Sequence, residues 1–546
     1  MQKGTVLSYL KKIPRSGWIL TAIIAVGIFL RTYNFQQWLY FYPDQARDVM
    51  IVDDFLSGKA GLPLLGFKAA STNFQLGAMY SYFQIISAKL FGSSPATDAY
   101  PDVLFGILTI PLLYYFLKRY FSTNISLALA GLYSVSFYAI RYSRFAWNTN
   151  PIPFFAILFL LAFHEFLFRK NKTSWTWIAL VGISIGVGVQ LHTVLLVLLP
   201  IITVLGFVYA LKHDGKVWKK CVIIFLIALF LNGGQLLSET KSNFSNTRYF
   251  FSVLNDRSPS QSGGIVDSFV SNVICQSQSN VLYLSSLENN DNCDNASSLK
   301  YDKQAKEHLV PYLIIVASIF FGFSIFILGY LLLFYYFKKE QDEKKKIFLG
   351  LNLAYVALVF LVVFPIITHN GQVRYWLPAA FFPFLSFGLA AKYISKKITK
   401  NFQLLGFLLL LVLILMNFFT IFSEAGRHTA GMRSNAQYVV LGELEKINQY
   451  ILSQSLPKNS AYIFGGQKYM QNFYKPLFYV ASRQNFLMIR GGRDPKKIPD
   501  GEHIFFIGQN LEIGQDSKYD SAPADLGLNI KSYKSFGNIG VYEVTN

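Results

Sequence analysis

The sequence predicts a polytopic α-helical membrane protein with a small soluble α/β domain at its C-terminal end, on three observations. Of the 546 residues, 53% are hydrophobic and only 15% charged, well below the charged share of an ordinary soluble domain. Apolar runs too long for soluble core helices recur as far as about residue 422. Lys and Arg gather in short clusters between those runs, so the formal net charge of +20 reports topology and not a nucleic-acid partner. Together these features exclude a disordered chain, a disulfide scaffold, a secreted soluble enzyme and a nucleic-acid binder.

The first apolar run, 18–30, follows Lys11, Lys12 and Arg15, and with no small-x-small cleavage site after it the run is expected to stay as a membrane anchor. Further spans are expected at 101–117, 124–141, 151–168, 174–191, 193–211, 218–238, 309–337, 347–368, 375–392 and 403–422, about eleven transmembrane helices in all. With a cytoplasmic N-terminus, the inward segments are 1–16, 118–124, 169–173, 212–220, 338–346 and 392–402. These carry Lys118–Arg119, Arg169–Lys170, Lys338–Lys339, Lys344–Lys346 and Lys396–Lys397. The opposite loop 33–100 holds only Arg47, Lys59, Lys68 and Lys89, as the positive-inside rule requires. The expectation is an integral multi-pass protein of the cell membrane, or one facing a lumen in a eukaryote, with its N-terminus cytoplasmic and its C-terminal domain external.

Two domains follow, a transmembrane domain over 1–423 and an external soluble α/β domain over 424–546. In the first external loop, 45–56 and 77–90 are amphipathic and suited to helices lying along the membrane surface. The second external loop, 239–308, is polar and holds Cys275 and Cys293, which would pair as a disulfide in an oxidising compartment or remain two free thiols. Beyond it the tail shows a helix-like stretch at 435–454. Short apolar runs then follow at 461–464, 504–507 and 539–544, separated by Gly, Pro and Asp, as an α/β domain requires.

Ionisable groups at the external ends of spans are the informative residues, because charge beside lipid is costly. Asp44 and Asp48, just after the first span, are i,i+4 and would share one helical face, where a carboxylate can take a proton from a hydroxyl nucleophile. The plainer reading is that Asp44 caps the helix and Asp48 is solvated. In the 141–151 turn, Arg144 suits a phosphate and Trp147 a sugar face, or the two form an interfacial belt with a snorkelling Arg, with Asn148 alongside. His192 occupies a tight external turn, where a hydrogen-bonded structural histidine is the ordinary finding. His369, Arg374 and Tyr375 form a last external turn, again suited to a phosphate. No HExxH, paired CxxC or Walker loop is present, and no GxSxG sits in a strand–turn–helix setting.

At these residues the chain resembles polyprenyl-phosphate-sugar-dependent glycosyltransferases of the GT-C superfamily. It is most similar to family 39, which includes protein O-mannosyltransferases and the aminoarabinose transferase of lipid A. The resemblance rests on Asp44-Gln45-Ala46 after the first span, Gly77-Ala78-Met79-Tyr80 to Lys89-Leu90-Phe91-Gly92, Tyr142-Ser143-Arg144, His192, and Arg374-Tyr375-Trp376-Leu377-Pro378, over roughly 17–395. It implies transfer of a sugar from a polyprenyl-phosphate donor to a protein, lipid or glycan acceptor hydroxyl at the outer face, with inversion. Asp44 would be the base and Asp48, His192 and Asn148 would support it. Arg374 and Arg144 would hold the phosphate, and Tyr42, Trp147, Tyr375 and His369 would meet sugar or lipid. Three departures stand out: Gln45 replaces the usual second acid, Phe145 stands where many members have Glu, and Phe74-Gln75-Leu76 replaces a Glu-Lys pair. A metal ligand and a phosphate-binding Lys that the resemblance implies are thereby missing, so no cofactor is assigned and a divalent metal stays an open but unsupported option. The rival class, a transporter or flippase of a lipid-linked sugar or small anion, predicts charges deep inside spans and inverted repeats.

The topology has a direct test. In a chain whose own three cysteines are replaced, single cysteines introduced at Ser71, Ser260 and Ser521 should all react with an impermeant thiol reagent in intact cells. Protection at position 521 would remove one span from the count.

Overall fold

A computed structural model describes residues 14–69, 72–255, 265–286, 309–363, 372–397, 400–435, 437–455, 458–491, 498, 501–510, 523 and 528–545. Each predicted span coincides with a helix or a helix pair. These are Arg15–Thr32, Tyr100–Leu117, Thr123–Val135 with Phe137–Arg141, Ile152–Arg169, Trp175–Leu191, Thr193–His213, Trp218–Leu231 with Gly233–Lys241, Leu309–Lys339, Glu343–Val363, Val373–Ala379 with Phe382–Lys397, and Lys400–Thr429. Among the described residues seven helices are long and apolar enough to cross a membrane, or nine if each bent pair is one span, and the apolar Thr123–Val135 and Trp175–Leu191 are shorter. The helix Lys400–Thr429 leaves Leu404, Phe407, Leu415, Phe419 and Phe422 exposed. A contiguous apolar face of that kind is untenable in water and natural against lipid, so the chain is a multi-pass membrane protein.

Two spans are broken where their sequences demand it. The helix ending at Leu231 turns by 63° into Gly233–Lys241, and Asn232 steadies the break by donating its amide to Gly186 O (3.1 Å) and Ala228 O (2.8 Å). The late span expected to open at Tyr375 instead begins at Phe382. Residues Val373–Ala379, with Pro378 inside, form a 3-10 turn bent by 55° from the helix that follows.

The two amphipathic stretches of the first loop form helices Pro43–Leu56 and Met79–Phe91, joined by an antiparallel strand pair, Leu65–Lys68 with Gln75–Gly77. Gly77 is required there by a close approach, since a Cβ would lie 2.1 Å from Gln190 Oε1. The same Oε1 accepts the Met79 N–H at 3.2 Å, locking the loop onto the helix Trp175–Leu191.

The 239–308 region departs from its expectation as a polar loop. Its helix Ile265–Ser285 packs among the membrane helices with Asn272, Gln276, Ser277 and Asn280 buried. Close backbone approach and local pairing explain this. A Cβ on Gly322 would lie 2.1 Å from Ser277 O, Asn280 donates to Gly322 O at 2.9 Å, and Gln276 pairs with Asn280 at 3.1 Å. Beyond them Asn417 donates to Leu284 O and accepts from the Ser286 hydroxyl, at 2.8 and 2.6 Å. Cys275 in this helix is disulfide-bonded and Cys221 is a buried free thiol; Cys293 lies outside the described residues.

After Thr429 the chain builds a mixed five-stranded sheet in the order Leu487–Arg490, Ser460–Gly465, Ile504–Gln509, Ile539–Thr545, Asn529–Phe536. The first three strands are parallel and the last two antiparallel, and helices Leu441–Gln454 and Gln467–Ser482 complete the domain. The helix expected over 435–454 starts only at Leu441. Residues before it are extended and pair with the segment after the first span, Tyr40 bridging Val440. The second tail helix seats on Pro43–Leu56, where the Tyr479 hydroxyl donates to Asp53 at 3.1 Å and Arg483 lies 3.7 Å from the same carboxylate.

At the basic end of the bundle the helices are tied by one buried carboxylate. Glu165, 2% exposed, meets Arg119 at 2.5 Å, Arg169 at 2.7 Å and Lys344 at 3.2 Å. Removing one partner of an ion pair costs about 3–5 kcal/mol where the charge left behind is buried; Arg119, Arg169 and Lys344 are 24%, 49% and 33% exposed, so the cost here is smaller. Glu165→Ala should therefore lower the apparent Tm in detergent by several degrees. Glu343→Ala, which breaks the exposed 3.6 Å pair with Lys170, should change stability by less than about 1 kcal/mol in the same thermal scan.

Candidate active site

At the other end of the bundle a cavity of about 350 Å³ collects residues from four separate segments. The first segment leaves the helix Arg15–Thr32 and runs extended through Tyr40 and Tyr42 before Pro43 opens the next helix. Alternation along an extended chain puts Tyr40 and Tyr42 on one side, where their rings stack at 5.9 Å and 8°. Asp44 follows in the first helical turn, near the positive end of the helix dipole, with its side chain 63% exposed to the cavity mouth. It does not cap the helix, because the cap position is Tyr42.

Gln45, the departure from the family's second acid, has a structural task. Its Oε1 accepts the Tyr42 N–H at 3.0 Å and its Nε2 donates to Ala146 O at 2.7 Å. It thus clamps the first segment to the second, the 141–147 turn. That turn supplies Arg141, Tyr142, Phe145 and Trp147 to the cavity wall, with Phe145 and Trp147 stacked at 5.8 Å. From the third segment come Gln372 and Arg374, whose guanidinium lies 5.3 Å over Trp147 and 5.5 Å over Tyr375. Arg374 Nε has no hydrogen-bond partner among the described residues. The fourth segment belongs to the tail, Gln437 and Tyr438.

Arg144 is placed differently from its expectation as a phosphate ligand. It is buried and donates to Leu30 O at 3.1 Å and Tyr33 O at 2.8 Å, satisfying carbonyls at the end of the first helix, and it does not line the cavity. Arg141, three residues earlier, faces the cavity instead, 5.5 Å from the rings of both Tyr40 and Tyr438. The two arginines are equivalent in sequence, and only packing chooses between them. Asn148 donates to Leu191 O at 2.6 Å, which fixes the end of that helix and not a substrate.

His192 sits in the break between two helices, where its Nδ1 accepts the Val194 N–H at 3.2 Å and its ring meets Tyr375 edge-on at 5.4 Å. Burial, with Arg374 nearby, pushes its pKa down to about 3, so it is a neutral imidazole whose Nε2 carries the proton. It buttresses Tyr375 beside Arg374 and does not line the cavity. His369 lies outside the described residues.

Asp48 is buried at 2% exposure and bound by Arg47 at 2.7 Å, while the same guanidinium reaches Asp44 at 3.0 Å and covers the Phe67 ring at 4.6 Å. Burial raises the Asp48 pKa to about 7 despite Arg47. Burial likewise raises the phenols of Tyr40 and Tyr42, which remain neutral. Among the described residues no three His, Cys, Asp or Glu side chains are grouped to hold a metal ion.

Bundle, cavity and tail together give the chain the fold of a known group of membrane proteins. A crystal structure of ArnT from Cupriavidus metallidurans bound to undecaprenyl phosphate shares the fold at a TM-score of 0.56 and 11% identity, over 97% of this chain and 98% of that one. The apo oligosaccharyltransferase of Archaeoglobus fulgidus aligns at a TM-score of 0.49 and 10% identity, over 92% of this chain and 70% of that one. Residues 77–232 match the family described as Dolichyl-phosphate-mannose-protein mannosyltransferase. No curated protein matches the chain.

The raised Asp48 pKa predicts a pH-dependent stability. An unfolded Asp titrates near 3.9, so between about pH 4 and pH 7 the unfolded chain releases this proton while the folded one holds it. Stability should fall as pH rises through that window, by up to about 1.4 kcal/mol per unit from this group. Asp48→Asn should flatten the slope of Tm against pH between 4 and 7.

Proposed function

We propose that this protein transfers a sugar from a polyprenyl-phosphate donor to an acceptor hydroxyl at the outer face of the membrane, with inversion. One observation carries the reading: Asp44, Arg141 and Arg374 line the same cavity at one end of the apolar bundle. A carboxylate, two cations and stacked aromatic rings are what a sugar phosphate and a hydroxyl nucleophile need together. The order of the chain supports the placement, since the segments that meet here all leave the ends of spans opposite the Lys and Arg clusters. That the similarly folded ArnT was crystallised with undecaprenyl phosphate supports the same donor class.

In this reading 1–423 is the transmembrane catalytic domain and 424–546 an external domain. The lipid phosphate reaches the cavity from the outer leaflet. Asp44 accepts the proton of the acceptor hydroxyl as its oxygen bonds to the anomeric carbon from the face opposite the phosphate. The bond from that carbon to the phosphate oxygen breaks, and its electron pair leaves with the lipid phosphate. Arg374, steadied by Trp147 and Tyr375, stabilises the departing charge together with Arg141. Asp48 is a positioning residue, acting on Asp44 through Arg47.

Reconstituted protein supplied with a polyprenyl-phosphate sugar should release polyprenyl phosphate, which a flippase does not. Asp44→Asn should slow turnover about 10²–10⁴-fold with donor binding retained. Arg374→Ala should instead raise the donor KM, with Arg374→Lys recovering little. A normal rate for Asp44→Asn would remove it as the base.

A further inference from the structure

The tail reaches the cavity through a turn built for the purpose. Asn435 Oδ1 accepts the N–H groups of Gln437 and Tyr438, at 2.8 and 3.0 Å, and the Asn435 N–H donates to Tyr438 O at 2.8 Å. Directly after the turn the chain pairs with the strand leading to Asp44. The Phe41 N–H donates to Val439 O at 2.9 Å and the Leu441 N–H to Leu39 O at 2.8 Å. Gly442 permits this contact, because a Cβ there would lie 2.7 Å from Gln37 O. Arg433 clasps the arrangement, donating to the Tyr40 hydroxyl at 3.0 Å, pairing with Glu424 at 2.8 Å and lying 4.2 Å over the Tyr438 ring. Tyr438 is thus held opposite Tyr40, ring centres 6.1 Å apart.

The charged groups of the cavity all have tasks in the proposed reaction: Asp44 for the proton, Arg141 and Arg374 for the phosphate. What remains is the Tyr438 ring edge with its hydroxyl and the neutral amide of Gln437 on the tail side, and the neutral amide of Gln372 from the third segment. Such a surface recognises a ring with apolar C–H faces and a rim of hydroxyls. A phosphorylated headgroup would call for further cations, and an extended peptide for unpaired backbone groups. Here the adjacent backbone of 39–41 and 439–441 is already paired with itself.

We propose that the Gln437–Tyr438 turn is the acceptor-specificity element and that the acceptor is a neutral saccharide. This rests on the donor reading above and names the acceptor class for the same cavity. Tyr438 meets the sugar ring with the part of its ring that lines the cavity, away from Arg433, and Gln437 selects among hydroxyl configurations.

The test uses the full chain in nanodiscs saturated with undecaprenyl phosphate, so that the phosphate position is filled. Binding of a panel of neutral trisaccharides and of a Ser/Thr hexapeptide is followed by tryptophan fluorescence, Trp147 being in the cavity wall. At least one trisaccharide should bind. Tyr438→Ala should weaken it by about tenfold or more, Tyr438→Phe should stay within about threefold, and Gln437→Ala should reorder the panel. Retained binding in Tyr438→Phe separates a lost ring contact from a misfolded tail. Hexapeptide binding without any trisaccharide, no ligand binding at all, or undiminished trisaccharide binding by Tyr438→Ala would overturn the proposal. Failure of the wild type to bind undecaprenyl phosphate would count against the donor reading instead, and Tyr438-dependent trisaccharide binding would still support the saccharide site.

Discussion

The backbone pairing of residues 39–41 with 439–441 is the interaction on which the site depends. It lies where the first helix has ended and the chain must satisfy its peptide groups without a regular element of its own. The tail provides the partners. The pairing then fixes the side chains that alternate along the segment, Tyr40 and Tyr42, and aims the helix that begins at Pro43 so that Asp44 stands at the cavity mouth. From the other strand it presents Tyr438. A domain that composition separates from the membrane bundle is, in structure, one wall of the same cavity.

Charge inside this protein is handled in two different ways. At the basic end Glu165 is enclosed by Arg119, Arg169 and Lys344, a closed arrangement that ties helices together and leaves that carboxylate little to do chemically. At the cavity end Asp44 is largely exposed and shares Arg47 with the buried Asp48. Asp48 absorbs the desolvation while Asp44 stays in reach of a ligand. The polar helix Ile265–Ser285 follows a third rule. Gln276, Ser277 and Asn280 are buried by pairing with backbone carbonyls or with one another, so small and amide side chains replace the apolar surface that a neighbouring helix would otherwise meet.

Much of the site was legible residue by residue and little of it as a set. Asp44, Arg374, Tyr42 and Trp147 stood out because each is polar or aromatic at the end of a span, and all four line the cavity. Arg144 had the same signal and a different fate, because its guanidinium was needed by the carbonyls of Leu30 and Tyr33. Arg141 carried the signal too, and Tyr40 was readable from the alternation of aromatic residues at 38, 40 and 42. Gln45 read as a lost acid, yet its amide can both accept from Tyr42 and donate to Ala146, which a carboxylate cannot. Gln437 and Tyr438 carried no signal, being close in space to Tyr40 and almost four hundred residues away in sequence.

By itself the sequence determined the membrane class and the positions of the apolar helices, because burial in lipid requires long apolar runs. It also determined the α/β character of the tail, through short apolar runs broken by turn residues. These are local properties, set by neighbours in the chain. Only the tertiary structure decided which arginine faces the cavity, where the polar 265–286 segment packs, and that the tail completes the site. Each of these turns on which backbone groups are left without partners once the helices have met, and that count exists only in three dimensions.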